Sequence, residues 1–360
     1  MKEIISIAPG RICLFGDHQD YLGLPVIACA INRSIKLTAI KNNKKVFKIN
    51  MIDIDEVRII DINEIFPVLK SRDYFASALR VLRRYNCIPT VGYDITITGD
   101  IPINSGTSSS SALLLAWINF LVNAFGAEKT TPDFISKIGY ISEVLEHGEP
   151  GGMMDHYTIG YGNIVHINTS TPFSCNIIGT ELSGLILGVS GVPKETIGLI
   201  GELKENALKA IGLVKQNFKN FVLSEVEIKD LNKYNRILPI ELIPYFDAAI
   251  KNHHYTNEAL KEFKNQEVNL KKIGDLMNGH HAVLRDLLKI TVPKIDAMID
   301  AALNAGAFGA KIVGSGGGGT IVAIGNTRDQ TKIIEAIMAV GAKDAFPIIV
   351  SKKARVHLNM

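Results

Sequence analysis

Several things are scarce in this chain. Its 360 residues include one tryptophan and four cysteines. Cys13, Cys29, Cys87 and Cys175 show no C-x-x-C spacing, so neither a disulfide framework nor a zinc site is expected. Three of them lie in apolar or mixed stretches, where a cysteine is most simply a core residue. Charge of one sign is not in excess: 39 lysines and arginines face 36 aspartates and glutamates, a net +3. That balance argues against a nucleic-acid partner, which calls for a clustered basic surplus. The short basic runs at Lys41 to Lys45 and Lys352-Lys353 read as solvated loop or strand ends. No apolar run approaches the ~18 residues of a membrane span, and the opening MKEIISIAPGR is too short and too charged for a signal peptide. A soluble, cytoplasmic protein with no nucleic-acid and no membrane partner is expected. Repeats and low-complexity linkers are absent. No Lys-Ser or Lys-Thr follows Gly106, which excludes a Walker A loop.

What is present is apolar bulk. Hydrophobic residues make up 47% of the chain, enough for a sizeable core, and the length favours two domains. Strand-like segments dominate the first part: Ile4 to Ile7, Ile12 to Phe15, Ser34 to Ile40, Lys45 to Ile49 and Val57 to Ile60. Helical spacing follows over Asp73 to Tyr85, then a strand over Tyr93 to Thr98. An apolar helix covers Ala112 to Ala124, a second helix Pro132 to Glu146, and a turn and strand Gly160 to Asn168. Near residue 180 the pattern restarts. A strand over Ser183 to Val189 precedes helices to about 218, with further helical stretches over Ile240 to Leu288 and Val292 to Ala305. Strands Ala310 to Val313 and Thr320 to Ala323 flank GSGGGG, and a helix Asp329 to Val340 and a strand Ala345 to Val350 close the chain. Strands and helices mix without strict βαβ alternation, which predicts an α+β protein with domains 1–180 and 181–360.

Four stretches carry chemistry. In GRICLFGDHQDYLG, residues 10–23, an apolar strand begins at an arginine and runs straight into Asp17, His18, Asp20 and Tyr21. In IPINSGTSSSSALLLAWI, residues 101–118, Gly106 and four consecutive serines lead into the apolar helix. A helix N-terminus offers unpaired N–H groups and partial positive charge, which suit a phosphate, and small residues let it approach. A plain serine N-cap is the simpler reading. Positive charge on such a phosphate must come from a metal ion or another segment. In GAKIVGSGGGGTIVAIG, residues 309–325, Gly314, Gly316 and Gly319 satisfy G-x-G-x-x-G, but a strand follows rather than a helix, so a dinucleotide fold is not implied. Five glycines in six residues cost chain entropy. The loop is expected to pack against a ligand or the other domain.

The fourth stretch, ISEVLEHGEPGGMMDHYTIG, residues 141–160, gathers Glu143, Glu146, His147, Glu149, Asp155 and His156. A transition-metal site is conceivable from these types, but the GEPGG turn separates the candidates. Glu146 and Glu149 read as solvated charges at a helix end. Asp155, after two methionines and before an expected strand, reads as a partly desolvated catalytic carboxylate.

Together these motifs resemble the GHMP kinase superfamily, and within it the galactokinases. APGRICLFGDHQDYLGLPVIACAI is similar to the galactokinase signature, IPINSGTSSSSA to the family's phosphate loop, and GGMMDH to the turn carrying the catalytic aspartate. MNGHHAVLRDLLKITVPKID, residues 277–296, resembles a segment of galactokinases, and GSGGGGT the third family motif. The resemblance implies a two-domain fold, with an N-terminal domain like ribosomal protein S5 and elongation factor G, a ferredoxin-like C-terminal domain, and the active site in the cleft between them. It implies ATP and Mg2+ as cofactors and a small-molecule sugar as partner; the sequence leaves the oligomeric state open, with a monomer favoured. Arg11 and Asp155 would face the sugar's anomeric hydroxyl. Asp155 would accept or orient its proton, and Arg11 would keep Asp155 ionised and stabilise charge on the moving phosphoryl group. Asp17, His18, Asp20 and Gly152 would bind sugar hydroxyls. Gly106, Thr107, Ser108, Ser109, Ser110 and Ser111, with Gly316 and Gly317, would bind ATP. Ser110 and Glu143 would hold magnesium.

The chain also departs from the family pattern. Cys13 stands for an asparagine, Asp17 for a glutamate, Leu22-Gly23-Leu24 for an asparagine–glycine region, Asn104 for a glycine, Ser111 for an alanine and His156 for a glutamine. Residues 190–203 contain none of the tyrosine that galactokinases place against the sugar. The departures fall mainly on the sugar side. The leading expectation is an anomeric sugar kinase acting on galactose. The alternatives are a kinase for galacturonate, N-acetylgalactosamine or L-arabinose, and a non-catalytic sugar and ATP sensor.

Overall fold

The computed structural model describes residues 3–126, 130–193 and 197–359. The elements run β1 (Glu3–Phe15), β2 (Val26–Lys41), β3 (Val46–Met51), β4 (Glu56–Asp61), α1 (Tyr74–Arg83), β5 (Tyr93–Gly99), α2 (Ser109–Phe125), α3 (Pro132–Tyr140), α4 (Met154–Tyr161), β6 (Ile164–Asn168), β7 (Ser174–Ile178) and β8 (Leu185–Val189). Then come α5 (Ile197–Asn217), α6 (Leu231–Asn235), α7 (Ile243–Phe263), α8 (Leu270–Asp286), α9 (Pro293–Asn304), β9 (Gly309–Ile312), β10 (Thr320–Ile324), α10 (Gln330–Ala339), β11 (Asp344–Pro347) and β12 (Arg355–Asn359).

The first sheet follows the order β12-β1-β2-β5-β3-β4, with β6 and β7 branching from β2. Its pairs are antiparallel except β3 with β5, which is parallel. The two strands expected near the N-terminus are one. Pro9-Gly10 interrupts the ladder without ending it, and β1 shifts register between Pro9 and Arg11 and again between Cys13 and Phe15. A proline that cannot donate to a ladder is accommodated at such a bulge, and the bulge sets Arg11 at the sheet's active end. The expected strand over Ser34 to Ile40 is likewise only the second half of β2.

Helix α2 lies under this sheet. It is apolar on nearly all faces, as a helix enclosed by other elements must be. Trp117 and Phe120 are fully buried beside Phe47, with ring centroids 5.2 and 6.2 Å from it. Each such side chain stabilises the fold by roughly 1.5–3 kcal/mol. This packing anchors the helix whose first turn carries the serine run.

The second sheet has the order β11-β8-β10-β9, all antiparallel. Helices α9 and α10 cover it through Ile295, Met298, Ile299, Ile333 and Ile337. Strand β8, α9, the β9–β10 hairpin, α10 and β11 give the βαββαβ order of a ferredoxin-like domain. Helices α5 to α8 are inserted between β8 and α9, and the expected long helix over 240–288 is α7 and α8, broken at 264–269. The last strand, β12, crosses back to pair with β1. A division at residue 180 therefore separates the two sheets but not β12.

Candidate active site

Three turns and a bulge converge on one cavity of about 230 Å³. Arg11 from the β1 bulge is buried. Its Nε donates to Asp155 Oδ1 at 2.7 Å, Nη2 reaches the same oxygen at 2.7 Å, and Nη1 donates to the Gly106 carbonyl. Asp155 Oδ2 accepts the Ser108 hydroxyl. Burial pushes the Asp155 pKa up, but the Arg11 charge and the Ser108 hydrogen bond outweigh it and hold the carboxyl below its ordinary range. The Asp155 side chain keeps 28% exposure, so an ionised oxygen pair looks into the cavity. Asp155 does not precede a strand, as the sequence led one to expect. It sits in the first turn of α4, where the helix N-terminus favours a negative charge.

The serine run does not act as a plain N-cap. Ser108 occupies the N-cap position of α2 with a left-handed φ of 59°, but its hydroxyl does not cap the helix; it serves Asp155. The first-turn N–H groups of α2 are therefore left without a side-chain cap. Gly106, Ser108, Ser109, Ser110 and Ser111 line the cavity. Thr107 does not; its hydroxyl meets that of Ser105 at 2.8 Å, and its carbonyl accepts the Arg11 N–H. Gly316 and Gly317 stand outside the cavity as well. The Gly317 N–H donates to the Ile290 carbonyl at 2.7 Å, and a Cβ on Gly316 would lie 2.5 Å from the Ile290 side chain. The glycine loop instead packs on the phosphate loop: a Cβ on Gly106 would come within 2.9 Å of the Val313 carbonyl, and one on Gly319 within 2.6 Å of the Ser105 carbonyl.

Ser110 Oγ and Glu143 Oε1 are 3.0 Å apart on the cavity wall, and Glu143 Oε2 meets His156 Nε2 at 2.7 Å. Glu143 is aimed there because α3 loosens after Tyr140 into a π-helical turn, Ile141–Leu145, a distortion that often marks functional positions. Two oxygen donors side by side fit Mg2+, which takes one or two protein oxygens and leaves its other positions to phosphate and water. Among the described residues no cluster of three or more His, Cys, Asp or Glu could hold a transition metal.

On the opposite wall Asp20 accepts the Tyr21 N–H at 3.0 Å and the Met154 N–H at 3.2 Å. Burial, joined by the nearby Asp155 charge, raises its pKa to about 6. Gly152 lies against the Asp20 carboxylate, where any Cβ would collide with it. His18, at φ 62°, pairs Nδ1 with the Tyr21 hydroxyl at 3.0 Å. Its Nε2 has no partner among the described residues, and burial lowers its pKa, which keeps the ring neutral. Asp17 differs from these two. Both of its oxygens are engaged by protein, Oδ1 by the Gly314 N–H at 2.8 Å and Oδ2 by Lys311 Nζ at 2.7 Å. Its burial is offset by Lys311, which brings its pKa down to about 2.

Two sequence expectations are corrected. Glu146 is not a solvated end charge: its side chain is 8% exposed and binds Arg80 and Arg84. Glu149 accepts the Tyr74 hydroxyl at 2.9 Å, lies 3.5 Å from Arg72 Nε, and lines the cavity. Arg72, Tyr74 and Lys311 were not anticipated. A lysine inside the apolar run GAKIV was the available signal, since a lysine is almost never fully buried unless paired. Lys194, in the segment lacking the tyrosine, lies outside the described residues.

The model for "GHMP kinases N terminal domain" matches residues 73–163, that for "GHMP kinases C terminal" residues 258–343, and the "Galactokinase galactose-binding signature" residues 1–40. A mevalonate kinase of Thermococcus gammatolerans is 26% identical over 355 residues, 94% of each chain. A galactokinase of Glaesserella parasuis is 28% identical over 337 residues, 88% of this chain and 84% of the relative. Among solved structures, Lactococcus lactis galactokinase complexed with galactose superposes with a TM-score of 0.87 at 21% identity, covering 98% of this chain and 95% of that one. The mevalonate kinase of Methanococcus jannaschii gives 0.72 at 24% identity, covering 97% and 98%. With the N- and C-terminal family domains both matched and placed around one cleft, the chain belongs to the GHMP kinases. It is accordingly an ATP-dependent phosphotransferase.

Proposed function

We propose that the chain is a galactokinase-like sugar 1-kinase, converting ATP and a hexose, with galactose preferred, to ADP and the sugar 1-phosphate. The observation that carries this reading is the Arg11–Asp155 pair, set between the uncapped start of α2 and a wall of Asp20, His18 and Gly152. Asp20 and the neutral His18 accept and donate to hydroxyls at fixed angles, which suits a polyol. The galactose-binding signature covers His18 and Asp20 of this wall.

In this reading Asp155 accepts a hydrogen bond from the anomeric hydroxyl and orients its oxygen toward the terminal phosphorus. Its depressed pKa makes it an orienting group first, taking the proton as the new O–P bond forms. Arg11 lies within reach of the moving phosphoryl group and stabilises charge there. The N–H groups of the α2 first turn hold phosphate oxygens. Ser110 and Glu143 would hold Mg2+, which when bound offsets charge on the β- and γ-phosphates. A second cavity of about 400 Å³ shares Arg72 and Tyr74 with the first and is lined by Met51, Val57, Leu113 and Trp117 among others. Its apolar and aromatic residues suit the faces of a nucleobase, and Glu56 and Arg58 in the same lining suit its polar edge. Arg72, with a 50% exposed side chain at the junction, supplies the cation that the phosphate loop lacks.

The mevalonate kinase relatives pose the competing acceptor. Mevalonate carries a carboxylate, which on the acceptor wall would meet the Asp20 and Asp155 carboxylates. That arrangement favours a neutral polyol. A coupled ADP-release assay over galactose, glucose, N-acetylgalactosamine, L-arabinose, galacturonate and mevalonate tests the reading. Galactose is expected to give the highest kcat/KM. Faster turnover of mevalonate would overturn the sugar-kinase reading, and faster turnover of galacturonate would overturn the choice of sugar.

A further inference from the structure

Lys311 is a fully buried lysine in the middle of β9, whose four residues are all buried. An ammonium there survives only if every hydrogen finds an acceptor. All three do. Nζ donates to the Ile312 carbonyl at 2.7 Å within its own domain, and to the Cys13 carbonyl at 3.1 Å and Asp17 Oδ2 at 2.7 Å in the other. Cys13, His18 and Tyr21, and His280 and His281 from α8, are other titratable groups near the pair. Burial first, then the Lys311 charge, lowers the pKa of His280 to about 3 and of His281 to about 4. Lys311 is the first of the groups that offset the burial of Asp17, followed by His280 and the Gly314 N–H.

The contacts continue beyond the ion pair. Asp17 Oδ1 takes the Gly314 N–H at 2.8 Å. Gly314, at φ 80°, sits so close to Gly106 that a Cβ would be 3.2 Å from the Gly106 carbonyl oxygen. That same carbonyl accepts Arg11 Nη1, and Arg11 holds Asp155. A continuous set of hydrogen bonds and close packing thus joins a lysine of the C-terminal domain to the arginine at the reacting centre.

We propose that Lys311 is a positioning residue: through its buried pair with Asp17 it seats the glycine loop on the phosphate loop and so sets Arg11 against Asp155. The proposal rests on the phosphoryl-transfer reading above. It assigns Asp17 to the interdomain pin and leaves hydroxyl binding to His18, Asp20 and Gly152.

Lys311→Met alone would strand a buried carboxylate and can unfold the protein. The test therefore uses the double variant Asp17→Asn/Lys311→Met, which removes both charges. Its thermal unfolding is measured first, and kinetics are taken well below the midpoint. The expected result is a kcat about a hundredfold lower, the scale of a misplaced catalytic group, with KM for sugar and for ATP unchanged within about threefold. Hydrogen exchange of residues 104–108 and 313–319 should quicken while that of the buried part of β2 does not. Wild-type kcat in a folded double variant would overturn the proposal by reducing the pair to a stability device. A sugar KM raised more than about tenfold with kcat retained would overturn it by making Asp17 a direct sugar contact. If the double variant does not fold, Asp17→Glu, which keeps a charge opposite Lys311 and displaces the carboxylate by one methylene, carries the same split of kcat against KM. The exchange readout needs no substrate: unchanged loop protection sinks the positioning role, whereas absence of turnover in the wild type with any acceptor sinks the kinase reading instead.

Discussion

The two walls of the cleft are built differently. The phosphate-facing wall is made of backbone: the uncapped first turn of α2, small residues, and a glycine loop pressed against Gly106. Its side chains mainly tie that backbone to Arg11, Asp155 and Glu143. The acceptor-facing wall is made of side chains whose roles depend on neighbours from distant segments. Asp17 and Asp20 are three residues apart, yet one is paired at both oxygens and held near pKa 2 while the other sits near 6. A wall of backbone tolerates sequence change and keeps one chemistry. A wall of side chains can change its ligand by one substitution or one new partner.

The sharpest division between the walls should appear at their meeting point. Asp155→Asn is expected to keep the fold and lower kcat by about 10²-fold or more, the scale for losing a positioned acid–base group. Arg11→Ala should also lower kcat strongly. A loss confined to sugar KM in either variant would move the pair from the reacting centre to the acceptor wall.

On the acceptor wall, galactose should exceed its epimer glucose in kcat/KM by at least about a hundredfold, because a site built to pair hydroxyls leaves buried polar groups unmatched by the wrong epimer. Equal rates would show that Asp20 and His18 do not read the hydroxyl pattern.

The raised pKa of Asp20 gives the same wall a pH signature. The ionised carboxylate is the form that accepts hydroxyl hydrogens. Kcat/KM for the sugar should therefore fall as pH drops through about 6, approaching about tenfold per unit below it. Asp155, held ionised by Arg11, contributes no limb there. Asp20→Asn should remove the limb, and a limb that persists in this variant would assign it elsewhere.

The smallest expected effects separate three neighbouring groups on the phosphate wall. Glu143→Gln and Ser110→Ala should each raise the magnesium concentration for half-maximal rate by about tenfold or more. Glu146→Gln should leave that requirement alone and cost about 1–3 kcal/mol in stability, since it leaves Arg80 without its partner in a mostly buried site. Parallel magnesium titrations and thermal melts decide between them, and identical behaviour of Glu143 and Glu146 would defeat the assignment.

The difference between the walls also explains what could be read in advance. The serine run, the GGMMDH turn and the arginine opening an apolar strand are local patterns, and the structure brings Ser108 and Arg11 onto the one carboxylate of Asp155. The π-helical turn that aims Glu143 is a one-residue change in helical winding, which hydrophobic spacing does not register. Glu146 and Glu149 were read as solvated because their partners, Arg80, Arg84, Arg72 and Tyr74, come from a segment more than 60 residues earlier.

From the sequence alone come the α+β class, most of the elements, and the serine run, Arg11 and Asp155 as residues of one candidate site, because each rests on residue type, period or spacing within a short window. The tertiary structure alone decided which carboxylates are free. Lys311 meets Asp17 across 294 residues of chain, and only folding places that charge beside one aspartate and not beside the next. In a buried site the nearest opposite charge sets the protonation and availability of a group, and that neighbour is a property of the fold.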